Sequence, residues 1–502
     1  MRPIETLLAL TNLLTFIVLA NPRLRAVSWM RHSAPIALLI AVAQVVVEGT
    51  RWQMIPAYVF TGLFFLVLQL KTIALAGQPA ELKLTHRAAF GLVVGLSAVG
   101  LAVSIVLPIV LPVFLFPRPN GPYEIGTVTY HWIDASRQEV FSTDKNARRE
   151  LMAQVWYPAK RVSSSSHTSY MQDSDAVATA LARLHNFPEF SLKHLKYVKT
   201  NAAESVPIAD DKSSYTVLIY LEGLTGYRQM NTFQVEELVS QGYIVVGIDQ
   251  PGAAATVVFP DGHQMAMQSA TNVMQPLVHQ SLSPAKITPQ LNGQAMPDGI
   301  IPYFEQDVSF ALDQLDSIDT ADPKGILTEK LDLRQVGVFG MSLGGMVGAE
   351  ACLKDLRIKA CLIEDVAITA DVVQMGLQQP TMFITRPADT MRLERENAGG
   401  WTEKDIEQTQ TTMRTVYDNL PGDGYFVQVP GMFHIDLTDL NLLSPIFPRT
   451  GFSGPIGAQR AHDIVNAYSV AFFDKHLKGV ATTLLDGPSK QYPEVRFETR
   501  RR

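Results

Sequence analysis

The chain has 502 residues, of which 47% are hydrophobic, and its formal net charge is −6. This length exceeds what one hydrophobic core supports, so it predicts two or more domains. An acidic chain without a basic stripe argues against nucleic-acid binding, and two cysteines are too few for a disulfide scaffold. We expect Cys352 and Cys361 to be two buried thiols.

Basic and apolar residues are both concentrated near the amino terminus. Residues 1–117 carry eight Lys and Arg against three Asp and Glu, a net charge of +5, whereas the remainder of the chain carries −11. The same segment contains four apolar runs, at residues 7–20, 34–47, 55–70 and 88–116. A membrane span needs about 20 apolar residues. The first three runs are therefore expected to include flanking residues in their spans, and the last is long enough to form a helix tilted in the bilayer. Residues 1–117 are therefore predicted to form a transmembrane domain of four helices, the last kinked at Pro108 and Pro112.

The basic residues are unevenly divided among the short loops between these runs. The loops after the first and third runs carry six of them, namely Arg23, Arg25, Arg31, Lys71, Lys83 and Arg87. The amino terminus and the middle loop carry only Arg2 and Arg51. Because cytoplasmic loops are enriched in Lys and Arg, the first and third loops are predicted to be cytoplasmic. With four spans, everything after Phe116 is then predicted to lie on the extracytoplasmic side, periplasmic or extracellular.

A proline-rich linker, residues 117–122, marks the predicted start of a second domain, residues 118–502. Beyond it, short apolar runs alternate with helical patterns, which is typical of α/β proteins with a mostly parallel sheet between two layers of helices. The predicted strands are residues 153–157, 216–221, 243–249, 335–339, 358–363, 381–385 and 425–429. The predicted helices are residues 232–241, 303–318, 343–353, 403–419 and 459–477.

One insertion, at about residues 262–302, fits neither pattern. Between residues 263 and 297 its only formal charge is Lys286, and methionines such as Met265, Met267 and Met274 are scattered through it. Long loops without secondary structure are unusual in compact domains and are often functional. An adaptable methionine-rich surface would suit a lid or a lipid-facing mouth. A mobile polar loop over the sheet is the alternative.

The most specific motif is Gly340-Met341-Ser342-Leu343-Gly344, which follows a predicted buried strand and precedes a small-residue helix. In this G-x-S-x-G pattern the serine lies on a strained turn, and the glycines allow the strand and helix backbones to approach closely. Ser342 is therefore predicted to be a nucleophile. The backbone N–H of Leu343, at the start of the helix, is predicted to stabilise a developing oxyanion.

A serine nucleophile needs a base and an orienting acid, which follow it in the order acid, then histidine. His434, just past the last predicted strand, is the best candidate for the base. Two carboxylates follow strands at the same sheet edge: Asp365 after residues 358–363 and Asp389 after residues 381–385. Spacing alone does not choose between them.

Residues 119–477 resemble the plasma and intracellular type II platelet-activating factor acetylhydrolase family, a branch of the α/β-hydrolases. The similar segments are GPYEIGT (121–127), VWYP (155–158), GLTG (223–226), GYIVV (242–246), ATVVFPDG (255–262), GMSLG (340–344) and GMFH (431–434). In that family the acid follows the strand after the nucleophile, so the resemblance implies the triad Ser342, Asp365 and His434. It assigns Asp389 to the surface or to a salt bridge, and implies the backbone N–H of Leu224 as a second oxyanion donor.

The chain departs from the family at two positions that border the predicted site. Glu222 stands where the family usually has histidine, and Met341 stands where histidine is common, so both are candidate substrate-pocket residues. An ionised carboxylate beside the oxyanion hole would repel the oxyanion. Glu222 is therefore expected to be paired, protonated or turned away.

These observations predict a membrane-anchored serine carboxylic ester hydrolase with an α/β-hydrolase fold. The expected substrates are short or modified acyl esters, including those of phospholipids in the bilayer. An esterase, lactonase or polyester hydrolase acting on small non-lipid esters is one alternative. A non-catalytic membrane sensor or binding protein is another, although an intact Ser, Asp and His set argues against it. We expect no metal and no organic cofactor, because the histidines lack metal-ligand spacing.

Overall fold

The protein was analysed as a computed structural model that describes residues 1–74, 84–160 and 167–500. The chain divides into two compact units. The first comprises Met1–Phe114 and Leu443–Ile446, and the second comprises Leu115–Leu442 and Phe447–Arg502. Residues 75–83, which belong to the third predicted loop and include Lys83, lie outside the described residues.

The first unit is helical. Its helices in the described residues are α1 (Pro3–Ala20), α2 (Pro22–Arg25), α3 (Ser33–Glu48), α4 (Ile55–Ala74) and α5 (Leu84–Val110). Three described segments, Pro3–Ala20, Ser28–Glu48 and Gly91–Val110, are long and apolar enough to cross a membrane, and Trp52–Leu68 is apolar but shorter. Helix α5 ends at Val110, before the predicted end at residue 116, because Pro112 disfavours the helical conformation of the residue before it.

The charged residues near the helix ends of this unit pair with one another. Arg51 donates two hydrogen bonds to the Glu5 carboxylate, each 2.7 Å long, and both side chains are fully buried. Arg2 also donates to Glu5, and its Nε lies 3.8 Å from a Glu48 carboxylate oxygen. Buried charges are tolerated when they are paired in this way. The pairing accounts for charged residues inside an otherwise apolar unit.

The second unit is built on an eleven-stranded sheet within the described residues. Its strands are β1 (Glu124–Gln138), β2 (Arg148–Ala159), β3 (His167–Ser169), β4 (Lys199–Glu204), β5 (Tyr215–Leu221), β6 (Tyr243–Asp249), β11 (Leu331–Met341), β12 (Ile358–Glu364), β13 (Thr381–Thr385), β14 (Gly424–Gln428) and β15 (Arg496–Arg500). Two short hairpins are formed by β7 (Thr256–Val258) with β8 (Gln264–Ala266) and by β9 (Gln290–Leu291) with β10 (Gln294–Ala295).

The strand order is β15-β14-β13-β12-β11-β5-β6-β2-β1-β4-β3. The run from β14 to β6 is parallel throughout, whereas β15 pairs with β14, and β2 with β6, in antiparallel register. The helices of this unit are α6 (Ser174–Leu184), α7 (Thr232–Ser240), α8 (Gln275–Leu282), α9 (Ile301–Thr320), α10 (Leu343–Lys354), α11 (Ala370–Met375), α12 (Ala388–Ala398), α13 (Glu403–Asn419), α14 (Phe447–Thr450) and α15 (Ala458–Leu477).

The central strands are buried on both faces, as continuous apolar runs in parallel sheets require. In β5, Val217 and Ile219 face one hydrophobic core with residues of α9 and α10. Leu218 and Tyr220 face a second core with residues of α7 and α15. The predicted class, a mostly parallel sheet between helices, is confirmed.

The insertion contains secondary structure. It includes β8, a π-helical turn (Ala270–Met274), α8 and the β9–β10 hairpin. Met267, Met274 and Leu277 are buried in the same core as α9. Since these side chains are buried, they do not form an exposed apolar mouth. The segment is not a structureless polar loop either, because it contains secondary structure and contributes apolar side chains to the core.

The prediction of two free thiols is wrong. Cys352, near the end of α10, and Cys361, in β12, form a disulfide with their Cα atoms 6.6 Å apart. The chain turns back directly after α10, so the end of the helix lies beside the neighbouring strand. The cysteine count argues against a scaffold of several disulfides, but it does not exclude one bridge across a helix–strand turn.

Removing this bridge should lower stability. The disulfide joins residues that are nine positions apart and so closes a short loop. This restricts the unfolded chain, which stabilises the folded protein by about 2–3 kcal/mol. The double variant Cys352→Ala and Cys361→Ala should therefore lose about that much free energy of unfolding, measured by denaturant titration. Alkylation of the denatured, unreduced protein should label no thiol, and labelling of both cysteines would contradict the assignment.

Candidate active site

Ser342 lies on a strained turn between β11 and α10. Its backbone has φ 54° and ψ −125°, in the left-handed region that non-glycine residues rarely adopt. A Cβ atom on Gly344 would lie 2.1 Å from the carbonyl oxygen of Leu221, and one on Gly340 would lie 2.6 Å from the backbone of Gly344. Glycine is therefore required on both sides of the serine, as the motif predicts.

The ends of neighbouring strands are held together by backbone hydrogen bonds. The Ser342 N–H donates to the carbonyl of Glu364 at the end of β12, and the N–H of Asp365, at φ 48°, donates to the carbonyl of Ile384 in β13. Both bonds are 2.9 Å long. These contacts bring the serine and the aspartate to the carboxyl edge of adjacent parallel strands, where α/β proteins place their functional side chains.

The predicted histidine reaches the same edge from the loop after β14. His434 begins a short 3₁₀ turn (His434–Leu437), and its Nδ1 lies 2.6 Å from Oδ2 of Asp365. The Asp365 side chain is fully buried and the His434 side chain is 22% exposed. Asp389, by contrast, is 66% exposed and lies 3.6 Å from Arg496. Of the two candidate acids, it is Asp365 that contacts the histidine.

Two further residues contact the Asp365 carboxylate, and neither was found from the sequence. Thr385 Oγ1 donates to Oδ1, and the fully buried Arg386 donates from Nε to Oδ2, each at 2.8 Å. Burial alone would raise the pKa of Asp365. The Arg386 guanidinium outweighs this effect and, with the hydrogen bond from His434, holds the pKa of Asp365 well below its usual value. The carboxylate is therefore ionised at neutral pH.

The turn after β5 approaches the serine from the other side. A Cβ atom on Gly223 would lie 3.3 Å from Cβ of Ser342 and 2.7 Å from the sulfur of Met341. The turn is closed by a 2.9 Å hydrogen bond from the Gly226 N–H to the Gly223 carbonyl. The backbone of Gly223 thus passes close to Ser342, and Leu343, the residue after the serine, begins α10.

The two residues that depart from the family pattern are both buried. Met341 is 3% exposed and packs against Gly223. Glu222 is 1% exposed, and its Oε1 accepts a 2.8 Å hydrogen bond from the backbone N–H of Gln250. Burial, and then the neighbouring Asp249 carboxylate, raise the pKa of Glu222 well above its usual value. Of the three possibilities raised by the sequence, protonation is the one this environment favours.

Within the described ranges, no group of three or more His, Cys, Asp and Glu side chains is arranged to hold a metal ion. The groups at this sheet edge are instead the Ser342 hydroxyl, the hydrogen-bonded His434–Asp365 pair and the backbone turn at Gly223. Such an arrangement can attack a carbonyl carbon, move the proton released by the serine and stabilise the resulting oxyanion.

Comparison with known proteins places the second unit in a family. The profile of "Platelet-activating factor acetylhydrolase, isoform II" matches residues 110–483. The chain is 23% identical over 410 residues to a probable 1-alkyl-2-acetylglycerophosphocholine esterase of Arthroderma benhamiae, covering 76% of this chain and 94% of that protein. It is 23% identical over 386 residues to a platelet-activating factor acetylhydrolase of Cavia porcellus, covering 72% and 78% of the two chains.

A solved structure supports the same conclusion about the fold. The chain is similar to a ferulic acid esterase from Streptomyces cinnamoneus, with a TM-score of 0.58 and 25% sequence identity. The similarity covers 76% of this chain and 97% of the esterase. Together with the family match, it confirms the α/β-hydrolase fold predicted from the sequence.

Two glycines of α10 provide a matched pair of substitutions that tests how closely the backbones approach each other at the Ser342 turn. Gly344→Ala would force its Cβ against the Leu221 carbonyl, so we expect a loss of several kcal/mol in the free energy of unfolding. Gly348→Ala, one turn along α10, meets no atom closer than 3.6 Å and should cost little or stabilise the helix slightly. Equal melting temperatures for the two variants would contradict the proposed geometry.

The state of Glu222 predicts a pH dependence of stability. Because its pKa is raised in the folded protein, the folded state keeps a proton that the unfolded chain releases above about pH 4.3. The wild-type protein should therefore lose stability relative to Glu222→Gln as the pH rises from 5 to 8. Thermal melts across this range test the prediction, with the exposed Glu396→Gln as control. A difference that does not change with pH would show that Glu222 is ionised when folded.

Proposed function

Because this chain belongs to the platelet-activating factor acetylhydrolase, isoform II, family, we propose that it is a membrane-anchored serine hydrolase that cleaves short or modified acyl esters. The observation that carries this proposal is the 2.6 Å hydrogen bond between His434 and buried Asp365 at the sheet edge that bears Ser342. A histidine held by a carboxylate through Nδ1 keeps Nε2 as the atom that exchanges a proton with the serine.

In the proposed first half-reaction, Nε2 of His434 takes the Ser342 proton while Oγ attacks the ester carbonyl carbon. The carbonyl oxygen becomes an oxyanion and accepts hydrogen bonds from the backbone N–H groups of Leu343 and Leu224. Collapse of this intermediate breaks the ester C–O bond. His434 returns its proton to the departing alcohol, and an acyl-serine remains.

Water completes the cycle in the second half-reaction. His434 removes a proton from water as the water oxygen attacks the acyl-serine, and the new oxyanion uses the same two N–H groups. Collapse returns the proton to Ser342 and releases the carboxylic acid. Asp365 stays ionised throughout and stabilises the imidazolium that forms twice in each cycle.

A neutral Glu222 is compatible with this chemistry. A negative charge next to Gly223 and Leu224 would oppose the developing oxyanion. The raised pKa of Glu222 removes that charge at neutral pH. Its carboxyl group then acts as a hydrogen-bonded support for the Gln250 backbone beside the oxyanion turn.

For the substrate, we propose a phospholipid with a short acyl chain. Two relatives are named for esterase or acetylhydrolase activity on 2-acetyl ether phospholipids. This chain adds apolar amino-terminal helices that are long enough to enter a bilayer, where such substrates are found. We propose four spans and an extracytoplasmic hydrolase unit. The Cys352–Cys361 bridge supports this location, since disulfides persist in oxidising compartments.

A second candidate function is hydrolysis of small soluble esters, with the membrane serving only as a tether. The structural similarity to a ferulic acid esterase over 97% of that chain favours this alternative. Both functions use the same triad. They differ in whether the enzyme prefers an ester presented in a lipid bilayer.

Hydrolysis by the purified full-length protein separates these functions. We expect release of acetate from 2-acetyl phosphatidylcholine in vesicles, much slower cleavage of a 2-long-chain lipid, and cleavage of p-nitrophenyl butyrate. Ser342→Ala should reduce every rate by on the order of 10⁴-fold or more, because the nucleophile is lost. Ser317→Ala, on the exposed side of α9, is the control. Cleavage of butyrate and feruloyl esters without lipid hydrolysis would support the second candidate.

A further inference from the structure

Arg386 contacts the Asp365 carboxylate but has no role in the reaction steps proposed above. It directly follows β13, and its side chain is fully buried. Its Nε donates to the same oxygen of Asp365 that accepts from His434 Nδ1, while Thr385 Oγ1 occupies the other oxygen. The carboxylate therefore accepts three side-chain hydrogen bonds, and its rotation is restricted on both sides.

The far side of the guanidinium is also occupied. Its Nη1 forms an ion pair with Glu394 of α12, and the ring of Trp401 lies 4.9 Å from its central carbon. The same tryptophan ring packs edge-on against the His434 imidazole, with centroids 5.2 Å apart. Glu394 Oε1 accepts a 3.4 Å hydrogen bond from the backbone N–H of His434. Arg386 and His434 thus share two neighbours besides Asp365.

The acidic residues around the Arg386 guanidinium come from several elements of the fold. Asp436, in the turn that begins with His434, also faces the guanidinium. Glu364 precedes Asp365 in β12, and burial raises its pKa to about 8, so it is neutral at pH 7. The carboxyl groups around Arg386 are therefore Asp365 and Glu394, with Asp436, whose pKa burial raises to about 6, farther along the His434 turn.

We propose that Arg386 is a positioning residue, which orients the Asp365 carboxylate toward His434 and is its cationic partner in a fully buried site. The inference rests on the proposed function and adds a residue to it. Without the guanidinium, Asp365 would lack its cationic partner. A protonated Asp365 would donate its hydrogen to Nδ1, so the proton of the neutral imidazole would move to Nε2 and the base would be lost.

The test is the pH dependence of p-nitrophenyl butyrate hydrolysis by the full-length protein, normalised to active sites counted by a fluorophosphonate. Arg386→Gln should lower kcat at pH 7 by about 10²-fold, as loss of a working base does. It should also move the acidic limb of the kcat profile to higher pH by about one unit or more. KM should change little, because the Arg386 side chain is fully buried. Arg386→Lys should recover part of kcat and part of the shift.

A second variant should move the acidic limb of the kcat profile in the opposite direction. Glu394→Gln removes the carboxylate that partly neutralises the guanidinium, so the acidic limb should move to lower pH. A merely structural role would lower the number of active sites without moving the profile in opposite directions. Arg414→Gln is the matched control, because Arg414 also pairs with a carboxylate, Glu498, and lies 4.2 Å from an aromatic ring, Phe426, away from His434.

The outcomes separate the inference from the proposed function. If Arg386→Gln and Arg386→Lys keep the wild-type kcat profile per active site, the positioning role is wrong while the triad stands. If Arg386→Gln does not fold, an unshifted profile in both Arg386→Lys and Glu394→Gln overturns the inference. If the wild-type protein shows no activity that depends on Ser342, the proposed function fails and the inference fails with it.

Discussion

The site depends on two left-handed backbone turns at the ends of adjacent parallel strands. Ser342 follows β11 at φ 54° and Asp365 follows β12 at φ 48°, and the N–H of each donates to the next strand along the sheet. The sheet register thus sets the distance between the backbones of Ser342 and Asp365. Strain of this kind costs about 1–3 kcal/mol per residue and persists only where the surrounding structure enforces it. Here the enforcing contacts are backbone contacts that glycine alone permits, at Gly340 and Gly344.

The same sheet edge carries buried carboxyl groups in different states. Asp365 is ionised because Arg386 and His434 outweigh burial, whereas burial leaves Glu222 with a strongly raised pKa. The difference follows from the partners: three side-chain hydrogen-bond donors in one case, one of them the Arg386 cation, and a backbone N–H with a nearby carboxylate in the other. In the proposed mechanism, negative charge is thereby kept beside His434 and away from the turn at Gly223 and Leu224.

Local pattern was enough for β2 and for the strands from β14 to β6, because buried parallel strands form apolar runs. It missed β1, β3, β4 and β15, which lie toward the two edges of the sheet and lack the continuous apolar runs of the central strands. The G-x-S-x-G motif pointed to Ser342 and chain order pointed to His434, but the choice of Asp365 over Asp389 needed the family resemblance. The contacts of Arg386 could not be predicted, because they join side chains from the end of β12, from α12 and from the segment after α12. The disulfide was missed because the spacing of the two cysteines does not show how the turn between α10 and β12 places their sulfur atoms.

The proposed function requires Ser342 to be the nucleophile of an intact triad. Reaction of the purified protein with a fluorophosphonate, followed by peptide mass spectrometry to locate the modified residue, measures this. We expect one label per chain, on the peptide that contains Ser342, with none in Ser342→Ala and much slower labelling in His434→Ala. Labelling of another serine, or no labelling of folded protein, would contradict it.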